Sequence, residues 1–154
     1  DSSNYHSLVF ADGLKGNISG NINSFAKPYN LFKGCTGIQS AEHLVVPEGT
    51  SCSGTFSGCT GLTTAPKSLP RSYYRGMFYG CTRLVDAPEL PSTTLDNECY
   101  LNMFYGCTSL EKAPVLPATT LVTRCYQGMF QNCSSLNYIK AMFTTTPSST
   151  YTSS

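Results

Sequence analysis

One cysteine, preceded by glycine or asparagine and followed by threonine or serine, recurs five times along this chain. That recurrence constrains the fold more than any other feature. The copies are Phe32-Lys33-Gly34-Cys35-Thr36-Gly37-Ile38, Phe56-Ser57-Gly58-Cys59-Thr60-Gly61-Leu62, Phe78-Tyr79-Gly80-Cys81-Thr82-Arg83-Leu84, Phe104-Tyr105-Gly106-Cys107-Thr108-Ser109-Leu110 and Phe130-Gln131-Asn132-Cys133-Ser134-Ser135-Leu136. The anchor cysteines Cys35, Cys59, Cys81, Cys107 and Cys133 are separated by 24, 22, 26 and 26 residues. A period of about 20–29 residues carrying a regular leucine points to a leucine-rich solenoid. A period that drifts by a few residues fits loops of different length on a constant core.

After the anchor each unit runs Leu-x-x-Ala-Pro: Leu62, Ala65, Pro66; Leu84, Ala87, Pro88; Leu110, Ala113, Pro114. The first copy is looser, with Ile38, Ala41, Leu44 and Pro47. Leu-x-x-Ala is predicted to be a short strand stacked on its counterparts. Proline has no N–H for a ladder, so Pro88 and Pro114 should end it. The Gly-Cys step suits a bend. Met77, Met103 and Met129, each before a phenylalanine, are predicted to pack inward on a single helical or 3₁₀ turn, as core rather than as a cofactor site. Single coils cannot hide their apolar side, and stacking lets Leu, Phe, Met and Cys form one continuous core. Strand-paired coils lie about 4.8 Å apart. The expectation is a β-rich coil stack whose five anchor cysteines run down the inside as a ladder.

The runs Cys99 to Leu110 and Cys125 to Leu136 read Cys-Tyr-x-x-Met-Phe-x-x-Cys-(Ser/Thr)-Ser-Leu, and Leu90 to Leu95 and Leu116 to Leu121 read Leu-Pro-x-Thr-Thr-Leu. With Leu14-Lys15-Gly16-Asn17-Ile18 upstream, these resemble the BspA-type leucine-rich repeat of anaerobic bacterial surface proteins. The resemblance covers about residues 14–143. It implies a right-handed leucine-rich-repeat-like stack, a secreted or cell-surface location, and a role in adhesion.

The order along the chain gives three parts. Residues 1–31 lack the anchor and are expected to cap the first coil, with Ser7 to Ala11 as a strand, Asp12-Gly13 as a turn, and Asn17 to Asn23 as a further strand or an irregular coil. Residues 32–143 hold about five repeats. Residues 144–154 are Ser/Thr-rich, with little to bury, and read as a tail or linker that could add a strand to an exposed edge.

Charge bears on partners. Among 154 residues 12% are charged and the net charge is +1, with ten Lys and Arg scattered along the chain. Nucleic-acid binding needs a clustered basic face, so no such partner is expected. No apolar run is long enough for a membrane span. Asp1-Ser2-Ser3 shows no signal peptide and reads as a mature or trimmed start.

Candidate chemistry is sparse. No Cys-x-x-Cys pair occurs, so no metal site is expected. The eight cysteines sit mostly where other solenoids carry apolar residues, which favours free buried thiols. Should bridges form, Cys99 with Cys107 and Cys125 with Cys133 come first, although Tyr73 would leave Cys81 without a mate in that scheme. The two histidines, His6 and His43, fit no Ser-His-Asp order. The carboxylates form no obvious pair for glycoside hydrolysis. No cofactor and no catalysis are expected. The positions that vary within the constant frame are the candidate binding surface: Gln39, Thr63, Val85, Glu111 and Asn137, with the neighbours Asp86, Lys112 and Tyr138, and Tyr79 and Tyr105 on the connecting side. Two functions follow as expectations. One is a surface module binding a host protein or glycan. The alternative is a structural subunit that assembles head-to-tail with copies of itself into a filament or surface layer.

Overall fold

The computed structural model describes residues 15–22 and 28–144. The N-terminal segment through Asp12-Gly13, with His6, and the tail beyond Thr144 lie outside the described residues, so most of the expected cap does too. Among the described residues there are two strands, β1 (Gly16–Asn21) and β2 (Ile38–Val45), which pair in parallel. The segment from Asn17 therefore forms a strand rather than an irregular coil.

The repeat units are joined in sequence order on two sides. On one side, parallel bridges link Ser40 to Thr64, Thr64 to Asp86, Asp86 to Lys112 and Lys112 to Tyr138, and Asn17 pairs with Ser40 ahead of them. The expected strand in every unit is not found. Only the first unit has one, and later units keep isolated rungs. The cause is proline. The first unit runs Ala41 to Val46 before meeting Pro47, so β2 extends for eight residues. In the next three units Pro66, Pro88 and Pro114 follow the alanine directly and remove the donor that would continue the ladder.

On the other side, the Met-Phe segment is neither α-helix nor 3₁₀, which corrects the expected helical turn. It is a run of overlapping turns with two alternating bond sets. In the fourth unit Leu101, Met103, Tyr105 and Cys107 donate N–H to the carbonyl three residues back, while Glu98, Tyr100, Asn102, Phe104 and Gly106 donate to Thr123, Cys125, Gln127, Met129 and Gln131 of the next unit at 2.9–3.1 Å. Every second amide thus closes a turn and every other one grips the neighbour. The same alternation joins the second unit to the third through Cys52, Gly54, Phe56 and Gly58. It requires a left-handed residue every fourth position. Asn102 (φ 54°) and Gly106 (φ 71°) supply two in the fourth unit, and Gly128 and Asn132 supply them in the fifth. Asn and Gly are the residues that reach this region at least cost.

Between the two sides lies one apolar core. Phe56, Phe78 and Phe104 are fully buried and stack 5.5–5.6 Å apart, with Phe32 and Phe130 at the ends of the column. Tyr74, Tyr100 and Tyr126 form a second column. Met77, Met103 and Met129 are buried beside them, as expected of a core stripe.

Candidate functional site

The anchor cysteines form a bonded row. Cys59 donates its thiol hydrogen to the Phe32 carbonyl, Cys81 to Phe56, Cys107 to Phe78 and Cys133 to Phe104, with sulfur–oxygen distances of 3.0–3.1 Å. Each thiol therefore ties its unit to the preceding one. All eight cysteines are free. Burial removes the water that would solvate a thiolate, and it pushes Cys52, Cys59 and Cys99 up to about 12. Cys81 and Cys107 are raised by the same desolvation, and Cys35, Cys125 and Cys133 shift in the same direction. Thiols held protonated are poor nucleophiles and poor metal ligands. Among the described residues no group of three His, Cys, Asp or Glu could hold a metal ion. His43 is an exposed residue of β2 opposite Ser19.

The variable positions fall into two separate columns. On the bridged side Gln39, Val85, Glu111 and Asn137 are exposed, and Thr63 is half-buried with its hydroxyl donating to the Gln39 carbonyl at 3.0 Å. Asp86, Lys112 and Tyr138 stand exposed on successive rungs, so a carboxylate, an ammonium and a phenol follow one another. On the turn side Tyr79 and Tyr105 stack face to face, 4.7 Å between centroids and 1° from parallel. The Asn132 amide donates to the Tyr105 hydroxyl at 3.0 Å and fixes that ring.

Sequence reasoning missed what surrounds this pair. Reading one step before each Gly-Cys or Asn-Cys gives Lys33, Ser57, Tyr79, Tyr105 and Gln131. The aromatic column therefore stops at the second unit, where a serine stands. A depression of about 190 Å³ opens there, bounded by Tyr29, Asn30, Ser57, Arg75, Tyr79 and Asn102 over the Gly54 backbone. The signal was in the alignment, as a small residue beside two tyrosines. An ion-pair ladder on the same side also escaped notice. Arg71 meets Asp96 at 2.7 Å, and Glu98 is shared by Arg75 and Arg124, each at 3.3 Å. These exposed pairs link successive units and contribute about 0–1 kcal/mol each.

Among the described residues no helix is long and apolar enough to cross a membrane. Comparison of the chain with protein-family models, with curated proteins and with solved structures found no match.

Proposed function

We propose that the chain is a leucine-rich-type solenoid acting as an extracellular binding module for a protein or a glycan, without catalysis. The observation that carries this reading is the division of labour in the repeat. The turn-forming glycines and asparagines, the Phe column and the thiol row hardly change, while the outward positions of each unit differ in charge, size and aromaticity. A repeated frame with varied outward side chains gives an extended recognition surface. The exposed tyrosines Tyr29, Tyr73, Tyr79 and Tyr138 suit that role, since tyrosine contributes large contact area at low entropic cost. Six of the eight thiols are buried, and only Cys35 and Cys133 reach the surface in part. Immobilised protein should bind at least one member of a panel of matrix proteins and glycans. A folded sample that binds none of them would refute the proposal.

One observation favours the second reading, end-to-end assembly. In the fifth unit Phe130, Cys133 and Leu136 are only partly buried, whereas their fourth-unit counterparts Phe104, Cys107 and Leu110 are fully buried. Ile139 and Met142 are about half exposed, and the Tyr126 hydroxyl is buried without a partner. Among the described residues Phe143 packs against Tyr126, while Phe130, Cys133 and Leu136 stay part-exposed. A second copy seated there would continue the stack into a fibre. Sedimentation over a range of concentrations tests it, because assembly raises the average mass and a constant monomer mass removes the reading.

A further inference from the structure

We propose that the depression between Tyr29 and Tyr79 is a sugar-binding shelf that takes one pyranose ring of a neutral oligosaccharide, laid flat on the free face of Tyr79. The inference deepens the binding reading above and rests on it.

The shelf is a vacancy in an otherwise filled column. Tyr105 covers one face of Tyr79 at 4.7 Å. The other face looks toward the second unit, where Ser57 occupies the position of the missing ring. Units joined in parallel are about 4.8 Å apart, so the vacant level has the height of one flat ring. A ring resting on Tyr79 at the spacing of the existing pair would sit above Ser57. Below it lies the Gly54 backbone, and Asn30 packs against Gly54 so closely that a side chain at Gly54 would strike the amide. The floor is therefore held low by a glycine that cannot be replaced without displacing Asn30. Gly54 also has φ 65°, which disfavours any side chain there.

The rim selects the kind of ring. Asn30, Arg75 and Ser57 bring an amide, a guanidinium and a hydroxyl to the rim, and Asn102 borders it. These suit the adjacent hydroxyls of a sugar, while the aromatic face receives its C–H side. A purely apolar ring would leave those polar groups desolvated and unpaired. A nucleotide would add phosphate charge, but the Arg75 guanidinium is already met by Glu98 at 3.3 Å. Tyr79 is 42% exposed, so its ring is reached from solvent without rearrangement.

The test is titration of the intact chain with cello-, manno- and xylo-oligosaccharides to ~10 mM, followed by tyrosine fluorescence and by NMR saturation transfer. Three variants accompany the wild type. Ser57→Tyr extends the aromatic column into the vacant level and leaves Tyr79 in place. Tyr79→Ala removes the platform. Val115→Ala alters an exposed apolar side chain that has no part in the shelf. Circular dichroism and thermal unfolding confirm that each variant is folded. The expected result is saturable binding by the wild type and by Val115→Ala, with a loss of at least ~10-fold in both Ser57→Tyr and Tyr79→Ala. Sugar binding that survives in both of the latter variants overturns the shelf and leaves the module reading standing. Absence of sugar binding in the wild type also overturns the shelf, and the module reading is then judged on its protein ligands alone.

Discussion

Truncating the phenylalanine column at its middle and at its end should give very different costs. Phe104 is fully buried and stacks on Phe78 at 5.5 Å and on Phe130 at 5.7 Å. Phe130 is partly buried and, among the described residues, stacks on Phe104 alone. Replacing a fully buried phenylalanine by alanine costs about 3–5 kcal/mol. Each aromatic pair contributes about 0.5–1.5 kcal/mol beyond area. Phe104→Ala loses two pairs and full burial. Phe130→Ala loses one pair and part of the burial, for about 1.5–2.5 kcal/mol. The expected gap is about 2 kcal/mol, with Phe78→Ala matching Phe104→Ala. Guanidinium denaturation of the three variants, followed by circular dichroism, measures it. Equal losses for Phe104→Ala and Phe130→Ala would refute the argument, because they would mean that the last ring is covered as fully as the middle one.

Stability should fall on the alkaline side. A thiol raised by burial keeps its proton in the folded state after the unfolded chain has lost it, so its contribution is complete below about pH 9 and declines between pH 9 and 12 for Cys52, Cys59 and Cys99. At pH 10 each of the three costs about 1 kcal/mol relative to pH 8, and the buried Tyr74, Tyr100 and Tyr126 act in the same direction; denaturation midpoints that do not drop by pH 10 would contradict this. Alkylation of native protein at pH 8 should modify Cys35 and Cys133 first, because they are half-buried, and should spare the other six until denaturant is added; mass spectrometry that finds Cys81 labelled in native protein at the rate of the unfolded chain would count against the thiol row. Gly61→Ala should destabilise by more than about 2 kcal/mol, since the new carbon would run into the Thr36 carbonyl oxygen of the neighbouring unit. Gly80→Ala should cost only about 1–2 kcal/mol, because its surroundings are open and its φ of 70° is the sole penalty; equal effects in thermal unfolding would remove the distinction.

How far the chain could be read in advance depended on the physics behind each position. The anchor cysteines, the Phe and Met stripes and the bend glycines repeat because each unit meets the same neighbours, and the structure places them in register. The strands were over-read. The apolar-x-x-Ala step looks alike in the first four units, but one proline decides whether a ladder continues, and of these four only the first delays it, to Pro47. The turn side was under-read. Asn30, Gly54, Gly76, Asn102 and Gly128 all adopt positive φ at the same offset from their anchors. An Asn/Gly alternation of that kind marks a left-handed backbone position, and it identifies the four-residue rhythm that a helical assignment obscures. The exposed surface was half legible. The stacked Tyr79 and Tyr105 could be aligned by eye, whereas the shelf beside them depends on what Ser57 lacks.

The turn-side bonds that join units all run one way, from the amide of each unit to the carbonyl of the next. Peptide dipoles aligned like that add together, as they do along an α-helix, although no helix is present here. The fifth unit ends the series with the N–H groups of Arg124, Tyr126, Gly128, Phe130 and Asn132, which have no acceptor among the described residues. That end is therefore the positive pole of an electric polarity built from backbone alone, and it favours carboxylates and other anions over cations in a chain whose side-chain charges nearly cancel.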